Sequence, residues 1–492
     1  MAFHTNTIFS MSLGVVLLFI TNIAQGAEYW VTKQGNDTNG CTNNSADACL
    51  TIQKGISILI SGDTLNIEQG TYVENSSTTP FGAACYWFED IASICLSQNG
   101  TSVNPITVRA APGHEGKVII DNELKRIGIH MRGRDYIVIS GLRIINNLIA
   151  GIATWGQPKN RIADESLLSI GVTVENNYIY NTNGKYGKNI AGIHMWGSKD
   201  WVVRNNFIDY VTRDGALAPT HTSGIQAYGT INALVEHNFV TRASGGILWK
   251  DHFVADAVGT PIFESEIRYN QINAAVDGII ITAMGSGTDE AGYNYIHHNT
   301  IYGYSGAGII AKLNHALDLS KGLRIEHNLI DGNGGTKTIG ISNDAYIDHK
   351  MSGNIIIRNQ HHVVTWPMAK LVASNDNIFD IDKGFPILLD GRYDSTKKVY
   401  STLNNWKAAL SSQALSLSVN NPDSNSITSA PTSLFIDITK RDYRYTDTSP
   451  AKGSMPDGSN AGPYQYGNEI IGLLPDGFKR PSKVTNLMII KP

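Results

Sequence analysis

The chain has 492 residues, of which 42% are hydrophobic and only 17% charged, with a net charge of −4. There is length for a large core but no basic excess, which excludes a nucleic-acid surface built on Lys and Arg. Forty-eight glycines point to many tight turns rather than to long helices.

In chain order, the first element is an export signal over residues 1–26. Leu13 to Ile20 is an apolar run, and Ala24-Gln25-Gly26 supplies small residues before a cut ahead of Ala27. The run is short for a bilayer, so the mature chain is expected to have no membrane span and to be secreted or periplasmic. Cys41, Cys49, Cys85 and Cys95 are an even set in an exported chain, which favours disulfides. Three connectivities are open, and nearest-neighbour pairing is the expected one. Residues 27–125 then form an N-terminal cap and first coils, with Thr51 to Ile60 as an apolar capping helix.

From residue 126 to 370 the chain repeats. The motif at Val174–Ile179 (VENNYI) recurs at Val203–Ile208, Val235–Val240, Ile267–Ile272, Ile296–Ile301 and Ile325–Ile330, with a first copy at Ile144–Ile149. Its fixed asparagines are Asn147, Asn177, Asn206, Asn238, Asn270, Asn299 and Asn328, spaced by subtraction 30, 29, 32, 32, 29 and 29; Asn354 follows 26 later. Such a period means a stacked architecture. A Gly-Ile element follows each motif, at Gly151, Gly192, Gly224, Gly246, Gly278, Gly308 and Gly340. Both elements are short and β-branched, which reads as strands. No repeat holds the helical stretch a βαβ unit needs.

The expected fold is therefore all-β: a right-handed parallel β-helix with an N-terminal capping helix and an irregular C-terminal cap. Each rung lies roughly 4.8 Å above the last. Ile and Val form the inward columns, and the asparagines form an internal ladder, because buried amides need partners. Residues 371–492 supply the last coils, the cap and a tail, with a short helix over Leu403–Leu410. A monomer is expected.

Three stretches carry a family resemblance: YWVTKQGNDTNG from Tyr29, TIQKGI from Thr51, and GDTLNIEQGTYVE from Gly62. With Asp442-Tyr443-Arg444, Ser449-Pro450-Ala451 and Gly462 near the end, they resemble exported β-helix proteins of the pectate-lyase-like superfamily. The resemblance covers most of residues 28 to 465. It implies the fold and, more loosely, action on polysaccharide. The chain lacks the Asp-Pro-His-Asp of mannuronan epimerases and the Trp-Ile-Asp-His of pectate lyases. It also lacks the paired aspartates of polygalacturonases, so no catalytic residue of those families carries over.

Alternation along each strand sorts the Gly-Ile segments into faces. The first outward column is Ala153, His194, Gln226, Leu248, Ile280, Ile310 and Ser342. The second is Trp155, Trp196, Tyr228, Lys250, Thr282, Lys312 and Asp344. Aromatics in line followed by lysines suit an acidic polysaccharide, with Trp155 and Trp196 as stacking platforms. Trp249 falls on the inward side and is large for a core position, so a bulge there would displace Lys250 and Asp251. Long turns before Gly192 and Gly224 and after Asp251 are expected to wall a cleft over these columns.

The chemistry this favours is β-elimination from a uronate-containing polymer. Lys250 is the expected base, with Arg213 and His194 as competitors, and a lowered pKa is required. Tyr228 is the expected acid toward the leaving oxygen. Arg213 neutralises the uronate carboxylate, or Ca²⁺ does so on Asp214 and Asp251. Gln226, His221, His252 and Lys312 complete the substrate contacts. His297, His298, His361 and His362 read as turn residues. Two other classes compete. A glycoside hydrolase needs a facing carboxylate pair, for which Asp214 and Asp251 are available. A non-catalytic glycan-binding surface protein would use the same aromatic column.

Overall fold

The computed structural model describes residues 26–75, 86–87, 90–155, 168–185, 189–217, 221–251, 264–283, 293–312, 323–343, 349–365, 371–380, 387–389, 398–411 and 420–474. The expected export signal, Cys85, His252 and Asp344 lie outside these residues. So do the side chains of Trp155 and Asp251.

The chain forms a parallel β-helix. Three long sheets run the length of the stack, with thirteen, twelve and fourteen strands among the described residues. One coil shows the pattern. Leu234–Glu236 lies in sheet one, a turn at Asn238 leads to Phe239–Ala243 in sheet two, and Gly245–Asp251 follows in sheet three. Each strand pairs in parallel with its equivalents one coil above and below. The inward column Ile152, Ile193, Ile225, Ile247, Ile279, Ile309 and Ile341 is fully buried.

The glycines before these isoleucines exist for space. A Cβ on Gly192 would lie 2.4 Å from Ile208 Cγ2 and 2.8 Å from the Gly224 carbonyl oxygen. The same collision recurs at Gly224, Gly246, Gly278 and Gly308, each against a sheet-two branched side chain and the next glycine's carbonyl. Only glycine lets the backbone pass so close to the core.

The N-terminal cap follows the expected sequence. The helix spans Ile52–Ile58, with Thr51 as N-cap accepting from the Lys54 amide. The buried Glu74 carboxylate takes the Ile52 and Gln53 amides, two donors a helix start leaves free. Asp63 of the GDT stretch ties the first strand to the helix end, accepting from the Ala27 and Ile60 amides. Cys41 and Cys49 are disulfide-bonded, as expected. Cys95 is disulfide-bonded as well.

The asparagine ladder is present and reaches one coil further toward the C-terminus than the sequence suggested. Asn177, Asn206, Asn238, Asn270, Asn299, Asn328, Asn354 and Asn377 stand one above another. Each Nδ2 donates to the Oδ1 of the next at 3.0–3.1 Å. Each backbone N–H donates to that same oxygen. The column ends on a carboxylate. Asn377 donates to Asp423 Oδ1, and Ser374, Ser426 and Trp406 also donate to Asp423. The amide dipoles thus all point toward one buried anion.

Asn147 does not belong to this column, which corrects the first repeat. Val174 pairs with Ile139, so Leu142 stands beneath Asn177. Asn147 lies in sheet two, opposite Thr182, and forms a short second ladder with Asn122 below it. Trp249, in contrast, causes no bulge. It is 1% exposed in the core, with the small Ala227 opposite it one coil below, and Lys250 keeps its outward place.

The C-terminal region folds back on the stack. Leu403–Ser411 is helical, as expected in outline. Phe435–Asp437 and Asp442–Tyr445 pair, and their side chains cover Leu329, Ile355, Ile357 and Ile378 on the outer face of sheet two. Residues 462–474 then run toward the N-terminal end beside the ladder turn. Gly462 donates to the Gly353 carbonyl, Gly472 to the Tyr269 carbonyl and Leu474 to Asn205 Oδ1. Beneath them His237, Tyr269, His298 and His327 stack ring on ring at 5.0–5.1 Å, and His298 Nε2 meets Gln465 Oε1 at 2.9 Å.

Two predictions follow from this packing. Asn238→Ala strands the Asn206 backbone N–H and takes the side-chain donor from the Asn270 Oδ1 in a dry turn, and should cost about 3–5 kcal/mol. Denaturant unfolding checks it, and a loss under 1 kcal/mol would contradict the ladder's role. Burial holds the His298 pKa down to about 3 and lowers those of His237 and His327, with Arg268, Glu236, Glu326 and Asp457 as their charged neighbours. The unfolded chain therefore binds protons that the folded chain refuses once pH falls below roughly 6.5. Stability should decline from there downward. Protection factors across residues 462–474, with the intrinsic pH dependence of exchange divided out, should be lower near pH 5 than at pH 7.5, and equal protection at both would refute it.

Candidate active site

Both outward columns stand as expected. Registers run Ala153, His194, Gln226, Leu248, Ile280, Ile310 and Ser342 in the first, and Trp155, Trp196, Tyr228, Lys250, Thr282 and Lys312 in the second. Their exposure differs from an open trough. His194 and Gln226 are 0% exposed, Tyr228 1% and Lys250 6%.

The aromatic rings explain part of this covering. Trp196 and Tyr228 stack at 5.5 Å, and His194 lies flat against Tyr228 at 5.4 Å. The Lys250 ammonium sits over the Tyr228 ring, 5.2 Å from its centroid. Tyr228 therefore spends its ring on its neighbours and not on a sugar face. Its hydroxyl is the working end. It donates to Asn189 Oδ1 at 3.2 Å and lies 3.1 Å from His221 Nδ1, which in turn is 2.9 Å from Asn189 Oδ1.

The long turns deliver these partners. Asn189 immediately precedes strand Ile190–Lys199, and His221, with φ 55°, precedes Thr222–Ile231 one coil higher. Arg213 ends strand Phe207–Arg213, and its charge reaches His221. Lys250, Tyr228, His221 and Arg213 thus converge. Asp214 follows Arg213 as an exposed residue with φ 50°. His194 and Gln226 lie behind the site; the Gln226 amide donates to the Ile190 carbonyl. Lys312 is exposed two coils above Lys250. Asn189 was missed by sequence reading. It is one polar residue in a variable turn, without a recurring partner to mark it.

Electrostatically the site is basic and dry. Burial alone lowers the Lys250 pKa, and the ammonium makes no ion pair among the described residues. Burial raises the Tyr228 pKa, which keeps the phenol protonated. Burial lowers the His221 pKa first, and the Lys250 and Arg213 charges lower it further. Burial also pushes His194 down to about 3, so it is neutral. An amine with no ion pair among the described residues, a phenol with its proton and the Arg213 cation nearby invite an anionic ligand. Among the described residues there is no group of three His, Cys, Asp or Glu side chains placed to hold a metal ion.

No family model matches the chain, and no curated protein does. Among solved structures the chain is similar to the pectate lyase Pel9A, at 13% identity and TM-score 0.41 over 90% of this chain and 97% of that one. It is similar to a rhamnogalacturonan lyase at 12% identity and TM-score 0.35, over 76% of this chain and 79% of that one. It is also similar to a GH136 lacto-N-biosidase from Eubacterium ramulus, at 12% identity and TM-score 0.44, over 82% of this chain and 67% of that one. At these identities and TM-scores no residue role transfers.

The lowered Lys250 pKa is directly measurable. With methyl-labelled lysines followed by NMR, Lys250 should titrate below the value of a free lysine side chain. Titration at the free-lysine value would contradict a desolvated amine.

Proposed function

We propose that the protein is an exported polysaccharide lyase that cleaves a uronate-containing polymer by β-elimination. The observation that carries this reading is the Lys250 amine, buried with no ion pair among the described residues and stacked over a phenol whose hydroxyl is held by Asn189 and His221.

Elimination across C4–C5 of a uronate needs the carboxylate neutralised, a base for the C5 proton and a proton for the departing O4. Arg213, with the positive field of the site, neutralises the carboxylate and makes the C5 proton acidic. Neutral Lys250 takes that proton and becomes ammonium. The C5–H electron pair forms the C4–C5 double bond as the C4–O4 bond breaks. Tyr228 gives its proton to O4, and the hydrogen-bonded His221 side relays a replacement from solvent. The pKa directions match these roles: the base is lowered toward neutrality and the acid raised so that it keeps its proton. Ca²⁺ on Asp214 and Asp251 is the alternative means of neutralising the carboxylate, and the basic cluster favours the direct route. His194 acts as a support behind Tyr228. Trp196 and Trp155 remain the proposed contacts below the scissile sugar, and His252 is a secondary one; Gln226, fully buried behind the site, is not a substrate contact.

The test is product absorbance of the unsaturated uronate on pectate, alginate and related polymers. Lys250→Ala and Tyr228→Phe should each lower kcat by about 100-fold or more. The rate should climb with pH through the lowered Lys250 pKa, without an alkaline fall until the raised Tyr228 pKa is reached. New reducing ends without absorbance would establish a hydrolase instead. Binding with neither would establish a glycan-binding protein, and full activity in both variants would remove the assigned base and acid.

A further inference from the structure

The turn that meets the Tyr228 hydroxyl holds an atom that decides where a proton sits. Asn189 and His221 occupy the same place in consecutive coils. Ile190 pairs with Thr222, and the Ile190 N–H donates to the His221 carbonyl at 2.9 Å. The Tyr228 ring lies against His194, and its hydroxyl reaches this turn. Asn189 Oδ1 then faces two groups at once: the Tyr228 hydroxyl at 3.2 Å and His221 Nδ1 at 2.9 Å.

Donor and acceptor accounting leaves one arrangement. An amide oxygen only accepts, and a neutral imidazole has one N–H and one lone pair. His221 Nδ1 must therefore carry the hydrogen, and the Tyr228 hydroxyl donates to the same oxygen. Burial, then the Lys250 and Arg213 charges, lower the His221 pKa from its ordinary value, so the ring is neutral in mildly alkaline solution. Its lone pair is on Nε2. His221 is exposed, which makes Nε2 the atom that exchanges protons with water. The Nδ1 hydrogen lies beside the phenol oxygen, with Nδ1 3.1 Å from it. The hydrogen bond at one ring nitrogen decides which nitrogen is protonated, and here Asn189 supplies that bond. A histidine without such a partner favours the hydrogen on Nε2.

We propose that Asn189 is a positioning residue that fixes His221 as the Nδ1–H tautomer, and so sets the route by which Tyr228 recovers its proton. This rests on the reading of Tyr228 as the acid toward O4. Once the phenol has given its proton to O4, a lone pair of the phenolate oxygen takes the Nδ1 hydrogen. The N–H electron pair stays on Nδ1, and the Nε2 lone pair takes a proton from water. The hydroxide left behind is neutralised by the proton that Lys250, now an ammonium, returns to solvent. Lys250 stands over the ring face while the hydroxyl's partners are in the turn, so the two protons travel by separate routes. The Nε2–H ring then sets a bare Nδ1 against Asn189 Oδ1, and exchange with water returns it to the starting tautomer.

Nitrogen NMR of His221 at about pH 8, where an unperturbed histidine is already neutral, reads the tautomer without substrate. The wild type should carry the hydrogen on Nδ1, and Asn189→Ala should move most of it to Nε2. Asn189→Asp, whose carboxylate also only accepts, should restore it. On uronate polymers Asn189→Ala should lower kcat about tenfold or more at unchanged KM, and Asn189→Asp should recover most of that loss. In a Tyr228→Phe background Asn189→Ala should cost little more. A wild-type hydrogen on Nε2, or an Nδ1 hydrogen unmoved by Asn189→Ala, would overturn the proposal whatever the protein cleaves. Equal kcat losses from Asn189→Ala with and without Tyr228→Phe would make Asn189 an anchor of the turn and overturn it too. A tautomer that responds as stated, in a protein that yields no unsaturated product, supports the fixing of His221 and removes the lyase chemistry.

Discussion

One constraint organises the molecule: an amide buried at a turn must find partners, and the same amide in the next coil supplies one for both its side-chain and its backbone donor. Each ladder oxygen accepts both the side-chain and the backbone N–H of the Asn below. Each Nδ2 also donates to a sheet-one carbonyl, as Asn238 does to Val203. A coil that slipped by one residue would break several of these bonds in a dry interior, where each unmet donor costs about 1–3 kcal/mol. The ladder therefore fixes the height and phase of successive coils, and the rest of the stack inherits that register. Insertions are pushed into the turns between sheets, where they leave the ladder untouched.

Register is what makes the site. Tyr228 and Lys250 belong to different coils and meet because Tyr228 pairs with Lys250 in sheet three. Asn189 and His221 enter from the turns ahead of two successive strands and close over the phenol. Sheet three supplies a rigid floor and the turns supply polar reach. Desolvation follows from this closeness: the rings of Trp196, His194 and Tyr228 pack on one another, and the amine that lies on them loses water without gaining an anion among the described residues. The same closeness that tunes Lys250 removes the phenol's ring from sugar stacking.

The sequence reveals repeating parts better than singular ones. The Gly-Ile and Asn motifs recur, so strand alternation placed Tyr228, Lys250 and Lys312 in one outward column. The first repeat misled, because Ile144–Ile149 mimics the motif while lying in sheet two, and only pairing of Val174 with Ile139 exposes the slip. Asn377 escaped because its coil is short and its neighbours depart from the motif. Asn189 has no recurrence to mark it. The covering of His194 and Tyr228 was hidden as well, since alternation tells which way a side chain leaves a sheet but not what packs above it. His298 read rightly as a turn residue, but His297 ends strand Tyr293–His297 and His361 and His362 open strand His361–Thr365; the ring stack of His298 and the C-terminal segment lying on it depend on contacts between residues far apart in sequence.

The central claim is that Lys250 and Tyr228, set side by side by coil register, work as one catalytic unit. A double-mutant cycle in kcat/KM with Lys250→Ala, Tyr228→Phe and the pair tests it most directly. If they serve one elimination step, the double variant should lose little more than the worse single variant. Losses that simply multiply would mean that the two side chains act independently, and would contradict the account.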